Sequence, residues 1–236
     1  FNDGESQIGA CQLECYPMRP GPGMFLSEYL ARKGPGINHI CFNTPSVETD
    51  TDFFLGKGCD LMFNALVNGK TVENYLDTRR HGDLMISLRP PATDWEKAWK
   101  ANNESHPLVN PWRFLGVGIG VKDLAATVGY YAEIGFPEAS DVVSDTKIGS
   151  RSQSVTVGPL VFDFFAAAAD TSIYAESLGL RGDGVNDIAF AVTDLAEETD
   201  RLQAKGVNCL ATSADGCSSY FDTRGEGNIM LRLVQY

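Results

Sequence analysis

The sequence predicts an α+β protein of two pseudo-symmetric halves, and three observations carry that prediction. The first is an internal repeat: "GPGINHICF" at residues 34–42 returns as "GDGVNDIAF" at 182–190, and "YLDTRRHGDLMISL" at 75–88 returns as "YFDTRGEGNIMLRL" at 220–233. The offset holds along the way, with 39 + 148 = 187 in the first pair, 57 + 148 = 205 between the Lys57-Gly58 and Lys205-Gly206 dipeptides, and 75 + 145 = 220 in the last. Segments that recur at a fixed spacing are copies of one structural unit. The second observation is that strand-like apolar runs begin at about residues 36, 114 and 184, each followed by a helical pattern. The third is residues 89–112, "RPPATDWEKAWKANNESHPLVNPW", whose proline, asparagine and charge read as a linker. The expected organisation is a half at 1–88, the linker at 89–112 and a second half at 113–236.

Each element has a local reason. In "DLAEETDRLQAKGV", Asp194 and Glu197 are spaced as a capping box, Leu195 and Leu202 share a face, and Gly206 marks the stop. In "FLGVGIGVKDLAATVGYYAEIGF", residues 114–136, Asp123 can cap a helix whose stripe is Leu124, Val128 and Tyr131. The N terminus breaks the symmetry. "GACQLECYPMRPG", from residue 9, corresponds to "GPLVFDFFAAAAD", from 158, which closes a unit whose strand and helix lie at 114–136. The first half therefore reads as lacking its opening strand and helix.

Composition narrows the function classes. A chain of 236 residues with 43% hydrophobic and 21% charged content builds an ordinary globular core. Its formal charge of −12 speaks against nucleic acid or an acidic membrane surface as a partner. The six cysteines form no C-x-x-C pair, no apolar run reaches the roughly 20 residues of a membrane helix, and the start resembles no signal peptide, so the expectation is a reduced, cytoplasmic protein. Gly116, Gly118 and Gly120 do not complete G-x-G-x-x-G, and as strand glycines they would leave room on one face. Three histidines and no nucleophile-elbow motif offer no Ser-His-Asp or Cys-His arrangement; His81 and His106 read as plain surface residues.

Four positions stand out chemically. His39 sits in an apolar strand, where it is either a hydrogen-bonded strand residue or a ligand. Glu14, in "QLECY", either faces water, pairs with a cation or binds metal. Asp163, in "LVFDFFA", and Arg232, in "IMLRLVQ", place charges inside apolar strands.

The succession of an acidic residue on a strand, a helix, "G-[VI]-x-H-I-x-F", a helix ending "K-G-V" and a closing "F-D-T-x-x-G-x-x-x-x-L" resembles the vicinal oxygen chelate superfamily, closest in flavour to the methylmalonyl-CoA epimerase and glyoxalase I branch. The resemblance implies tandem βαβββ units whose mixed sheets curl around a cavity, and a divalent metal (Mn, Fe, Co, Ni or Zn). Glu14 and His39 then fall on metal-ligand positions, with Glu14 as ligand or base. Ser87 stands where a glutamate is usual and would hydrogen-bond substrate or a metal-bound water. The second half carries Gly116, Asp163, Asp187 and Arg232 at these positions. There a guanidinium flanked by two carboxylates either takes the place of the metal or forms a structural ion-pair network. The implied activity is that of an epimerase, isomerase or lyase on a small carbonyl-bearing or oxygen-rich substrate, and a homodimer is one assembly it allows. An extradiol-type ring-cleaving dioxygenase and a non-catalytic small-molecule binding or resistance protein are the alternatives.

Overall fold

A computed structural model describes residues 4–8, 11–16, 19–94, 97–98, 101 and 112–236. His106 and most of the expected linker lie outside the described residues. Among the described residues the strands pair into three sheets, accompanied by five complete α-helices. β1 (Gly4–Ile8) and β2 (Cys11–Cys15) form an antiparallel hairpin, followed by α1 (Phe25–Lys33). β3 (His39–Asn43), α2 (Val47–Gly56), β4 (Asp60–Val67), β5 (Lys70–Asp77) and β6 (Met85–Arg89) then make a βαβββ unit with strand order β3-β6-β5-β4.

The same unit recurs twice. One copy is β7 (Arg113–Gly120), α3 (Leu124–Glu133), β8 (Val143–Asp145), β9 (Ser150–Val157) and β10 (Leu160–Ala167). After α4 (Ala175–Arg181) comes the other: β11 (Gly184–Val192), α5 (Leu195–Ala204), β12 (Cys209–Thr212), β13 (Ser218–Phe221) and β14 (Met230–Gln235). In every unit the first strand pairs parallel with the last, as a helical crossover requires. The two later units join through an antiparallel β7–β11 pair into one eight-stranded sheet, β12-β13-β14-β11-β7-β10-β9-β8.

The helices start where the chain offers a side-chain acceptor. Ser46 accepts from Thr49 N, Asp123 from Ala126 N at 3.0 Å and Asp194 from Glu197 N at 2.9 Å. Past the ends of α2 and α5, Gly58 and Gly206 adopt φ of +86° and +84°, the left-handed turn that glycine enters without steric cost. Asp194→Ala is expected to cost about 1 kcal/mol in a denaturant melt, since it removes one of the acceptors that satisfy the first-turn amides.

The halves meet about a pseudo-two-fold axis. Lys33 and Arg181, the last residues of α1 and α4, are counterparts (33 + 148 = 181), and each donates to the other's helix end. Lys33 Nζ reaches the carbonyls of Arg181 and Asp183 at 2.5 and 2.6 Å; Arg181 Nε and Nη2 reach those of Lys33 and Pro35 at 2.9 and 2.8 Å. A cation at the negative end of a helix dipole is favourable, and here the arrangement is reciprocal. Beneath it one core spans both halves: Leu76, Ile86 and Leu88 of the four-stranded sheet share it with Ile119, Phe162 and Phe164 of the larger one. His81, expected on the surface, is half-buried with its ring 5.4 Å from that of Tyr130, because this packing covers the turn that carries it.

Candidate functional site

The sheet faces turned away from the shared core carry the polar residues. In the C-terminal half the register sets Arg232 of β14 beside Ala189 of β11 and Tyr220 of β13, and sets Gly118 of β7 between Asp163 of β10 and Asp187 of β11. Arg232 Nη2 lies 2.6 Å from Asp163 Oδ2, and its Nε lies 2.8 Å from Asp187 Oδ1, an ionic contact without hydrogen-bond alignment. Tyr174 donates to Asp187 Oδ2 at 2.8 Å and Ser154 donates to Asp163. The guanidinium carbon stands 5.3 Å from the Phe165 ring centroid and 5.9 Å from that of Tyr220. Asp163, Asp187 and Arg232 are thus brought together by the fold.

The centre of this cluster is buried: Asp187 is 0% exposed and Arg232 5%, while the Asp163 side chain keeps 16%, and Tyr174, Leu178, Phe165 and Met230 belong to one buried apolar cluster. Burial raises the pKa of Asp187 above the usual carboxylate range, against the pull of Arg232. Burial also opposes the charge on Arg232, but Asp187 and Asp163 outweigh it and push its pKa well above the ordinary value. The two directions agree physically: with two carboxylates to one guanidinium, the cation is over-compensated and the deeper carboxylate under-compensated. The room left by the strand glycines is occupied. A Cβ on Gly118 would lie 1.7 Å from Asp187 Oδ2, one on Gly116 1.8 Å from Val161 O, and one on Gly120 2.1 Å from Asn186 Oδ1.

The N-terminal half repeats the register with different residues. Met85 pairs with His39 as Met230 does with Asp187, and Ser87 lies between Cys41 and Tyr75 as Arg232 does between Ala189 and Tyr220. Side chains of paired residues share a sheet face, so His39, Cys41, Tyr75, Ser87 and, two residues before Tyr75 on β5, Glu73 all lie on one side. Phe25 and Leu26 of α1 pack on Tyr75 and Met85 at one border of that face. Glu14 of β2 borders the other, 3.9 Å from Arg89 Nη1, and accepts a hydrogen bond from the Tyr16 hydroxyl.

Cys41 on this face is exposed, and the surrounding protein still pushes its thiol up to about 12, first by burial and then through the charge of Glu73. Burial lowers the pKa of His39 despite the opposing charges of Glu73 and Glu14, so the imidazole is held neutral. Its Nδ1 meets Asn38 Oδ1 at 2.5 Å, and its ring stands edge-on to Tyr75 at 5.1 Å. Ser87 is 0% exposed and its Oγ has no aligned hydrogen-bond partner, although the neighbouring Cys41 thiol feels it. The charge of Glu73 bears on both Cys41 and Tyr75, the thiol lying on the strand beyond β6.

Glu73 is the residue that sequence patterning does not single out. Its counterpart in the repeat is Ser218 (73 + 145 = 218), and that departure is the one signal for it in the chain. The donors do not suit a metal ion. Among the described residues no three His, Cys, Asp or Glu side chains are grouped to hold one. In the C-terminal half a guanidinium already occupies the cation position. A recess of ≈ 480 Å³ between the halves, beside Arg32, Arg79, Asp77 and Asp83, is lined by charges that already pair with one another.

Residues 113–225 match the sequence family described as the Glyoxalase/Bleomycin resistance protein/Dioxygenase superfamily. No curated protein matches the chain. Among solved structures, methylmalonyl-CoA epimerase from Mycobacterium tuberculosis is similar at 22% identity over 52% of this chain and 87% of that one, with a TM-score of 0.46. A triple mutant of 4-hydroxymandelate synthase from Streptomyces coelicolor is similar over 99% of this chain and 79% of that one, at 15% identity and a TM-score of 0.69. The latter likeness shows that both halves together follow one two-half fold.

Proposed function

On the premise that residues 113–225 belong to the Glyoxalase/Bleomycin resistance protein/Dioxygenase superfamily, we propose that the chain is an enzyme that moves a proton at the carbon beside a carbonyl group of a small molecule, and that it does so on the N-terminal face. The observation that supports this most is the pair of Glu14 and Arg89, 3.9 Å apart, with the charge of Glu14 reaching His39. A base and a cation side by side are what this step needs. Glu14 takes the proton, the C–H electron pair moves onto the carbonyl oxygen as an enolate, and Arg89 stabilises the oxyanion as its charge develops. When the electron pair returns, Glu14 gives the proton back, to the same carbon as exchange or to a neighbouring atom on the same face as an isomer. Tyr16, donating to Glu14, orients the carboxylate.

The step runs on side chains alone. His39 and Glu14 supply two of the donors a metal would need, and Ser87 withholds the usual third. The C-terminal half offers no such step, because Asp163 and Asp187 are committed to Arg232 and Asp187 also accepts a hydrogen bond from Tyr174. In D₂O, exchange of the α-proton in a panel of small keto acids and acyl thioesters, followed by proton NMR, is expected to fall about a hundredfold in Glu14→Gln with the fold intact. Exchange in the wild type that Glu14→Gln leaves unchanged would remove Glu14 as the base. No exchange with any substrate would favour the binding protein.

A further inference from the structure

The three repeated units end in edge strands of unequal character. β4, β8 and β12 are counterparts, and among the described residues each borders its sheet with one side unpaired. β8 has three residues, and β12 has four with Leu210 interrupting its register; short or bulged edges resist further pairing. β4 has eight residues. Its one bulged residue is Met62, so Phe63–Val67 runs regular, the other bulged residue of the pair, Val72, lying on β5. No charge falls between Leu61 and Gly69, in a chain that is 21% charged. The apolar residues of this edge are exposed: Leu61 40%, Phe63 46%, Leu66 59% and Val67 56%, with Val72 at 36% beside them. Phe63 is held in place against the rings of Tyr75 and Phe25, at 6.0 and 6.1 Å. From those fractions the five residues expose roughly 450 Å² per copy, and two copies bring roughly 900 Å² to a shared seam, close to the ~1,000 Å² of a specific interface.

We propose that β4 pairs antiparallel with β4 of a second copy of this chain, about a two-fold axis near Asn64, so that two four-stranded sheets become one of eight strands. An unpaired strand edge is satisfied by another extended strand, which alone matches its row of N–H and C=O groups. Charge selects a second copy. The chain carries a net charge of −12, so most of its surface repels a like molecule, and the uncharged stretch is where two copies meet without like charges facing. Antiparallel pairing sends the two Asp60 side chains to opposite ends of the seam and brings Asp60 of each copy toward Lys70 of the other, since these residues lie at the two ends of the β4–β5 hairpin strand and its turn. The same edge used on both copies closes the assembly at two, whereas β4 against β8 would leave edges free to propagate. Joining units through antiparallel edge strands is how the chain already builds its larger sheet, at β7 and β11.

Sedimentation of the intact chain at low and high protein concentration, with hydrogen exchange measured at both, tests the pairing. A reversible monomer–dimer equilibrium is expected, with a dissociation constant on the order of micromolar for an interface of this small size. The amides of Phe63–Val67 should exchange more slowly at the high concentration. Leu66→Lys, which sets a lysine in the seam of each copy and leaves the core untouched, should raise the dissociation constant by about a hundredfold while the monomer melts as before. Val143→Lys, at a position of β8 that is 58% exposed, should leave the dimer unchanged. A monomer at every concentration, a dimer that persists in Leu66→Lys, equal loss in Val143→Lys, or assemblies larger than two overturn the inference. The wild type decides even if Leu66→Lys does not fold: a dimer without added protection on β4 places the interface elsewhere and overturns the proposal as well.

Discussion

Replacing Arg232 by alanine is expected to destabilise the protein by about 3–5 kcal/mol, the range for removing one partner of a buried ion pair. The cost arises from what stays behind more than from what is lost. Asp187 has no access to water, and burial already lifts its pKa even with the guanidinium 2.8 Å away. Without that cation it must either remain charged in a medium that cannot solvate it or take up a proton on folding. The sign of the accompanying pH effect follows. A folded-state pKa raised above the unfolded one means that the native state binds more protons, so the variant should be relatively more stable at low pH and lose stability as pH rises through the raised value. Arg224 provides the contrast. It pairs with Asp222 and Glu176 with its own side chain 29% exposed, and Arg224→Ala should cost less than about 1 kcal/mol. Chemical denaturation of both variants at several pH values decides the matter, and equal small losses would show that the guanidinium does not hold the centre of this half.

The repeat makes the fold legible because offsets of 148 and 145 survive in the residues that each unit needs: the glycine after a helix, the Asp-Thr-Arg turn, the alternation on β6 and β14. Capping is legible because Asp123 and Asp194 act on amides three residues away. The site is legible only where counterparts can be compared within the chain. Asp163, Asp187 and Arg232 can be expected to converge because their register positions are implied by resemblance, and their charges oppose. Glu73 cannot be assigned, since its contact with Cys41 spans β6 and exists only once three strands are in register. The partner that helps bury Asp187 is hidden as well. It is Tyr174, which leads α4 and reads in sequence as one more apolar residue in "TSIYAE". The reciprocal binding of Lys33 and Arg181 lies within reach of the offset alone, but both look like solvated charges at helix ends.

Gly118→Ala tests the same centre from the other side, by adding a methyl group rather than removing a charge. Its Cβ would lie 1.7 Å from Asp187 Oδ2 and 2.4 Å from the carboxyl carbon, far inside van der Waals contact. A flexible neighbour could swing away, but this carboxylate is fixed between Arg232 Nε at 2.8 Å and the Tyr174 hydroxyl at 2.8 Å, with no exposed surface to retreat to. The strand cannot yield either, since β7 is paired on both sides, to β10 and to β11. Overpacking alone costs about 1–3 kcal/mol, and displacing Asp187 adds part of the cost of a broken buried pair, so a loss of about 3 kcal/mol or more is expected. Gly129→Ala, within α3 and with no atom within 4 Å of the added carbon, should instead be neutral or gain up to about 1 kcal/mol from helix propensity. Thermal melts of the two alanine variants against the wild type measure the difference. If Gly118→Ala melted with Gly129→Ala, Asp187 would have to be free to move, and the closed carboxylate–guanidinium centre of the C-terminal half would be wrong.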